Sequence, residues 1–286
     1  MSLNYSKLSF IFVVVYLSFI NFFVFKATPE IYFFEFTLLI FLYRKSESSV
    51  FLKKWVPFIS LFLLYEFIRG WVDNISPFYN LTLYWIYILE KNIFTTLPTQ
   101  ILQKTLQNYT NIMDVLVFFY STFFYFSFLV AFVVYLKNKN LFSLYAKKFI
   151  LLTYFSLFLF FIFPTAPPWM VSEINNLGLV RVIYESPILK SFTSYTTYQY
   201  FIYGNPVAAM PSLHVAWPAF SALFLQIHLK KWWSILLIIV PLMISLAVVV
   251  MAEHYVLDVF VGWILAYIFV RWGWPACRQG RDSTIV

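Results

Sequence analysis

Long apolar runs without alternation constrain this chain more than any other feature. Leu8 to Phe25, Trp55 to Trp71, Val115 to Leu136, Phe149 to Phe163, Val215 to Leu229, Trp233 to Met251 and Tyr255 to Val270 are each dominated by aliphatic and aromatic residues. Ile31 to Tyr43 is shorter and carries Glu35. A lipid core offers no hydrogen bonds to a backbone, so spanning segments must be helices or a closed barrel. Barrel strands alternate apolar and polar residues, and these runs do not, which selects helices. Only 11% of the residues are charged, against about a quarter in soluble domains. The expected fold is all-α, a polytopic membrane bundle of about eight transmembrane helices.

The stretches between the runs refine this picture. The first run is long for a signal peptide and lacks a small-x-small cleavage site, so it reads as a retained span. Phe78 to Leu97 is interrupted by Asn80, Thr82, Glu90, Lys91 and Asn92, and its Tyr and Trp residues suit a helix lying in the interface. Pro164-Thr165-Ala166-Pro167-Pro168-Trp169 stops the fifth span, because proline cannot continue a helix. A polar loop of roughly forty residues follows, long enough to be functional. Pro218 and Pro241 are expected to kink two later spans. The single cysteine, Cys277, excludes an intramolecular disulfide, and a free thiol is a simpler reading of it than acylation.

The net charge of +8 does not point to nucleic acid, because the basic residues form no patch. They fall in the connections between runs. With the N-terminus in the cytoplasm, that side receives Lys7, Arg44, Lys45, Lys53, Lys54, Lys137, Lys139, Lys147, Lys148, Lys230, Lys231, Arg271, Arg278 and Arg281. The other side keeps Lys26, Arg69, Lys91, Lys104, Arg181 and Lys190. A crossing at Phe78 to Leu97 would move the Lys137 to Lys148 group outside, against the positive-inside rule. Both termini are therefore expected in the cytoplasm. The third span then delivers Glu66, Arg69 and Asp73 outwards, and the sixth and eighth begin outside with His214 and His254.

Those histidines carry the chemistry. His254 and Asp258 lie four apart in Ala252-Glu253-His254-Tyr255-Val256-Leu257-Asp258, so on a helix the carboxylate reaches back towards the imidazole. A carboxylate on one ring nitrogen leaves the other with its lone pair outward, as a nucleophile or general base needs. The bland alternative is a buried pair joining two helices. His214 closes Ala209-Met210-Pro211-Ser212-Leu213-His214, where proline suits a first helical turn. The free N–H groups of a helix start attract anions, Ser212 adds a hydroxyl, and His214 is placed to protonate a leaving oxygen. Ser212 also fits a plain helix cap. Arg69 and Arg181 are phosphate candidates through their planar donor forks, unless Glu66 or Asp73 neutralises the first and solvent claims the second. His228, beside Lys230 and Lys231, reads as interfacial. Two histidines and an aspartate also suit a divalent metal. Arginine, serine and a helix start favour anions instead, so no metal and no cofactor is expected.

These motifs resemble a known family. Met210-Pro211-Ser212-Leu213-His214 and Glu253-His254-Tyr255-Val256-Leu257-Asp258 resemble the second and third signatures of the type 2 phosphatidic acid phosphatase superfamily. Together with the proline-rich motif and Tyr65-Glu66-Phe67-Ile68-Arg69-Gly70, they resemble the branch containing inositol phosphorylceramide synthase and its prokaryotic relatives. The superfamily's first signature, a lysine spaced from an arginine-proline pair, is absent here, as it is from that branch. The resemblance implies a six-helix catalytic core over 55–272, two extra helices in 1–54 and a cytoplasmic tail at 273–286. It implies that His254 attacks phosphorus, Asp258 orients it and His214 protonates the leaving group. The substrate would be a membrane lipid phosphate ester, resolved by water in a phosphatase or by a lipid hydroxyl in a transferase. A non-catalytic lipid transporter or scaffold is the reading from another class. Acceptor, head group and oligomeric state stay open.

The charge pattern makes a direct prediction. In a background lacking Cys277, cysteines replacing Asn108 and Asn175 should react with an impermeant thiol reagent in intact cells. A cysteine replacing Asn138 should react only after lysis, and labelling of position 138 in intact cells would invert the topology.

Overall fold

The computed structural model describes residues 48–72, 74–182, 205–229 and 232–272. The expected spans at 8–25 and 31–43, the 273–286 tail with Cys277, and the positions of Asp73 and Lys190 lie outside the described residues. Every named element is a helix. In chain order these are α1 (Ser48–Arg69), α2 (Tyr79–Thr82), α3 (Trp85–Phe94), α4 (Pro98–Leu106), α5 (Thr110–Ser121), α6 (Phe123–Lys137), α7 (Lys139–Ile162), α8 (Pro168–Asn175), α9 (Leu213–Leu229), a 3₁₀ turn (Trp232–Ile238), α10 (Ile239–Val250) and α11 (Val256–Arg271). α7 is long and apolar enough to cross a membrane, and α5 with α6 passes the same test as a bent pair.

α9 is the axis of the bundle. Val215, Ala216, Ala219, Phe220, Ala222 and Phe224 are fully buried, which requires neighbours on all sides of the helix. Those neighbours are α11, α6, α10 and α7. The small residues let α11 come close. A Cβ on Gly262 would sit 2.8 Å from the Ser212 carbonyl oxygen at the start of α9. Around this contact the core is aromatic: Trp217 packs against Phe62, Phe149 and Phe123, and its Nε1 donates to Thr153 Oγ1 at 3.0 Å. The buried Tyr145 hydroxyl likewise finds Ser127 O at 2.8 Å and Ser221 Oγ at 2.7 Å. Buried polar groups need such partners wherever water is excluded.

Several boundaries differ from the sequence expectation. The run Val115 to Leu136 is two helices, α5 and α6, bent by 47° at Thr122. The Thr122 hydroxyl donates to Phe119 O at 2.7 Å, and its N–H turns to the same carbonyl. Such back-bonding draws the turn tight and bends the helix. The run Trp233 to Met251 is a 3₁₀ turn leading into α10, and Pro241 falls in the first turn of α10, where proline is tolerated, instead of kinking a longer helix. The connection after α7 contains the short helix α8, with Pro168 at its first turn. α3, at about 15 Å long, is well short of an apolar bilayer core.

α7 starts about ten residues earlier than expected because Asn138 caps it, accepting from the N–H groups of Asn140 and Leu141. This corrects the place of Lys148, counted above among loop charges. It is buried, and its Nζ donates to Val270 O at 2.6 Å, a cation at the carbonyl end of α11.

Gly262→Ala tests the contact that brings α9 to α11. The new methyl group meets backbone, not a flexible side chain, so it should destabilise by about 1–3 kcal/mol. The expected readout is a lower melting temperature in detergent; an unchanged one would place the two helices further apart.

Candidate active site

The site is framed by irregular backbone, not by a sheet. Thr165, in the proline-rich loop, forms an isolated parallel bridge with Ala208: its N–H donates to Val207 O at 2.6 Å, and its carbonyl accepts from Ala209 N at 3.2 Å. Its hydroxyl accepts from Trp85 Nε1 at 3.0 Å. Ala166 N donates to Leu83 O at 2.9 Å, and Trp169 N to Ala252 O at 3.1 Å. One short loop thus ties together the segments before α3, α9 and α11. Its prolines bring no N–H groups that would need partners.

This frame brings His214 and His254 into contact. His214 Nδ1 lies 3.0 Å from His254 Nε2. His254 Nδ1 lies 2.8 Å from the carbonyl oxygen of Ala209. A carbonyl only accepts, so Nδ1 of His254 carries the proton. In the neutral ring Nε2 is then the bare nitrogen, and His214 Nδ1–H donates to it. That leaves His214 Nε2 to accept from the Tyr120 hydroxyl, 3.3 Å away. Each tautomer in the chain from Tyr120 to Ala209 follows from the one carbonyl at its end.

Asp258 lies beside His254, as its spacing suggested, but does not hydrogen-bond the ring. Its Oδ2 is 3.6 Å from His254 Nδ1, an ion-pair distance too long for a hydrogen bond. The same oxygen accepts from Tyr255 N at 2.8 Å. Asp258 sits in the first turn of α11, where unpaired N–H groups compete for a carboxylate, and the backbone wins. The ring is oriented by Ala209, and Asp258 supplies a buried negative charge beside it.

The bend between α5 and α6 positions His214. Tyr120, just before the break, lies nearly parallel to the imidazole with centroids 5.1 Å apart, and Phe123, just after it, lies at 4.4 Å. Neither residue was a candidate from the sequence, because an aromatic residue in an apolar run reads as core. Ser212 is fully buried, and its Oγ has no hydrogen-bond partner among the described residues. It stands at the start of α9 and donates its own N–H to Asp258 O at 3.2 Å.

Both candidate arginines bear electrostatically on His214. Neither stands as a bare cation. Arg69 Nη2 pairs with Glu66 Oε2 at 2.9 Å, the neutralisation the sequence left open. Arg181 is not a simple surface residue: Nε and Nη2 fork onto the Glu253 carboxylate at 2.6 and 3.1 Å, and its guanidinium lies 4.1 Å from the Trp169 ring. Glu253 adjoins His254, so the pair anchors Arg181 at the turn that carries His254. His228 lies at the far end of α9, stacked on Phe224 at 4.1 Å.

A family profile described as the PAP2 superfamily matches residues 84–272, well over half the chain. The chain belongs to the PAP2 superfamily. Its members are lipid phosphatases and phosphotransferases, typically membrane-associated, and the matched segment spans both histidine motifs and the proline-rich loop. No curated protein and no solved structure matches the chain.

The tautomer chain in this PAP2 protein is testable without substrate. Nitrogen-15 spectra should show protons on Nδ1 of both His214 and His254 and none on their Nε2 when the rings are neutral. Tyr120→Phe should change the His214 signals and leave those of His254 in place. Losing one buried partner of this kind costs about 1–3 kcal/mol. Protonated Nε2 on neutral His254 would overturn the assignment.

Proposed function

We propose that this chain is a multi-pass membrane enzyme that transfers phosphate from a lipid ester through a phosphohistidine on His254, in the manner of the inositol phosphorylceramide synthase branch. The observation that carries the reading is the hydrogen bond between His214 and His254, with Ala209 fixing the proton on the far side of the nucleophilic ring. Nε2 of His254 then attacks phosphorus, and the bond to the leaving oxygen breaks as His214, in its imidazolium form, gives that oxygen a proton and is left neutral. In-line attack puts nucleophile and leaving group on opposite faces of phosphorus, so the two rings must part to admit the phosphoryl group. In the second half-reaction His214 takes a proton from water or a lipid hydroxyl, which attacks the phosphohistidine. The transferase alternative is favoured by the likeness to the synthase branch; a phosphatase would share every step except the acceptor.

Phosphate oxygens are assigned to the start of α9, with Ser212 Oγ as donor, and to the positive field of Arg181 and Arg69. Each arginine shares its charge with a glutamate, so a phosphate would compete with Glu253 and Glu66 for the same donors. Asp258 stabilises the cationic His254 that forms on attack. A lipid substrate is supported by an apolar groove of about 390 Å³ at the α5–α6 break, lined by Phe118, Phe119, Thr122, Phe126 and Val240. It adjoins the residues that flank His214. The charge distribution supports a site on the extracytoplasmic or lumenal side, in a catalytic division taken as 55–272.

The roles of the histidines separate by experiment. With a phosphorus-labelled lipid phosphate, wild-type protein should trap acid-labile label, and His254→Ala should trap none and turn over no substrate. General acid catalysis contributes about a hundred- to ten-thousand-fold, so His214→Ala should recover part of its rate on an activated aryl phosphate that departs unprotonated. Label trapped in His254→Ala but not in His214→Ala would reverse the two roles.

A further inference from the structure

Glu90 interrupts an apolar stretch and reads, from sequence, as a polar residue of an interfacial helix. The structure buries it completely. Its Oε2 accepts from the N–H of Leu257 at 3.2 Å, and its Oε1 is buried with no hydrogen-bond partner among the described residues. Leu257 lies in the first turn of α11, next to Asp258 and three residues after His254. The free N–H groups of that turn are thus divided between two carboxyl groups: Tyr255 N goes to Asp258, and Leu257 N goes to Glu90. Around Glu90, α3 and the cap of α4 pack both motifs at once, because Ile86 and Leu97 form a cluster with Tyr255, Met210 and Leu257.

We propose that Glu90 is a positioning residue for His254, clamping α3 to the start of α11 and so holding the turn on which the nucleophile's geometry depends. It touches no reacting atom. It acts through Leu257, one residue from Asp258, and through the Tyr255 and Met210 packing that flanks His254 and leads into the His214 motif. The ionisable groups that bear on it are Asp258 and Tyr255 from α11 and its cap; Tyr84 and Tyr87 bear on Tyr255, and Lys91 lies over the Tyr87 ring. Burial, with a further push from the Asp258 charge, raises the Glu90 carboxyl from 4.5 to about 7, against the pull of the Leu257 and Val256 N–H groups. The unfolded chain therefore loses this proton first. The resulting stability is fully present below pH 4.5 and is lost as the pH rises through about 7.

Two substitutions test this. Glu90→Gln keeps an acceptor for Leu257 and cannot ionise; Glu90→Ala removes the acceptor. The kinetic arm rests on the phosphoryl-transfer reading and uses a dioleoyl phosphatidate in mixed micelles. Glu90→Ala should lower kcat about ten- to a hundred-fold with KM little changed, as expected for misplaced reacting groups, and Glu90→Gln should restore most of it. The second arm needs no turnover. Nitrogen-15 signals of His254 should shift in Glu90→Ala and return in Glu90→Gln, and between pH 5 and pH 7.5 the melting temperature of Glu90→Gln should gain on wild type. Wild-type kcat and His254 signals in Glu90→Ala would overturn the proposal, as would a Gln variant as impaired as the Ala variant. If wild-type protein turns over no phosphate ester, the functional reading fails alone, and the spectra and melting curves still decide the role of Glu90.

Discussion

The hydrogen bond between His214 and His254 joins two helix starts that are forty residues apart in sequence, and much of the described structure serves to keep it possible. Helix starts repel one another, because each presents free N–H groups and a partial positive charge. Bringing α9 and α11 together at that end therefore needs compensation. Asp258 provides it twice, through its side chain on Tyr255 N and its carbonyl on Ser212 N. Gly262 provides the space, since any side chain there would strike the Ser212 carbonyl. Ala209, held by Thr165, supplies the carbonyl that aligns the His254 ring. The proline-rich loop thus acts through the backbone: among the described residues it hydrogen-bonds neither histidine and holds the segment that carries Ala209.

The bend at Thr122 plays the same part for the other ring. In a straight helix over Val115 to Leu136, Tyr120 and Phe123 would share a face, three residues and about 60° apart around the axis. The 47° bend falls between them, and both rings lie against His214. The hydroxyls of Ser121 and Thr122, each bonded back to a carbonyl of the preceding turn, are the local cause. A feature that looks like a defect in an apolar helix thus lies where two of its rings meet the imidazole of His214.

What was legible in the sequence follows from this division. Paired histidine motifs at the starts of apolar runs were visible because capping residues, proline and helical spacing are local. The all-helical architecture was visible because period and hydropathy are local too. The bend was not, since Thr122 sits in an unbroken apolar run and its hydroxyl acts only once the helix forms. The orienting role of Ala209 was hidden because a backbone carbonyl has no sequence signature. Spacing correctly brought Asp258 near His254, yet could not show that first-turn N–H groups would outcompete the imidazole for it. Glu66 was a visible partner for Arg69, being three residues away; Glu253 was not a visible partner for Arg181, because the loop between them closes only in three dimensions.

The two helix starts end up chemically unlike, and that difference argues for where a phosphate sits. At α11 the first-turn donors are already engaged by carboxyl groups, Tyr255 N by Asp258 and Leu257 N by Glu90. An anion approaching that end would meet two acids and few free donors. At α9 no acidic residue lies in the first turn, and the buried Ser212 hydroxyl has no partner among the described residues. A buried, unbonded hydroxyl costs stability unless something binds it. The same asymmetry suits the chemistry proposed for the rings: the negative end favours a histidine that becomes cationic on attack, and the open end favours the anion it attacks. In that proposal, the carboxyl groups that engage the donors of α11 and turn phosphate away from it are those that suit His254 to the role of nucleophile.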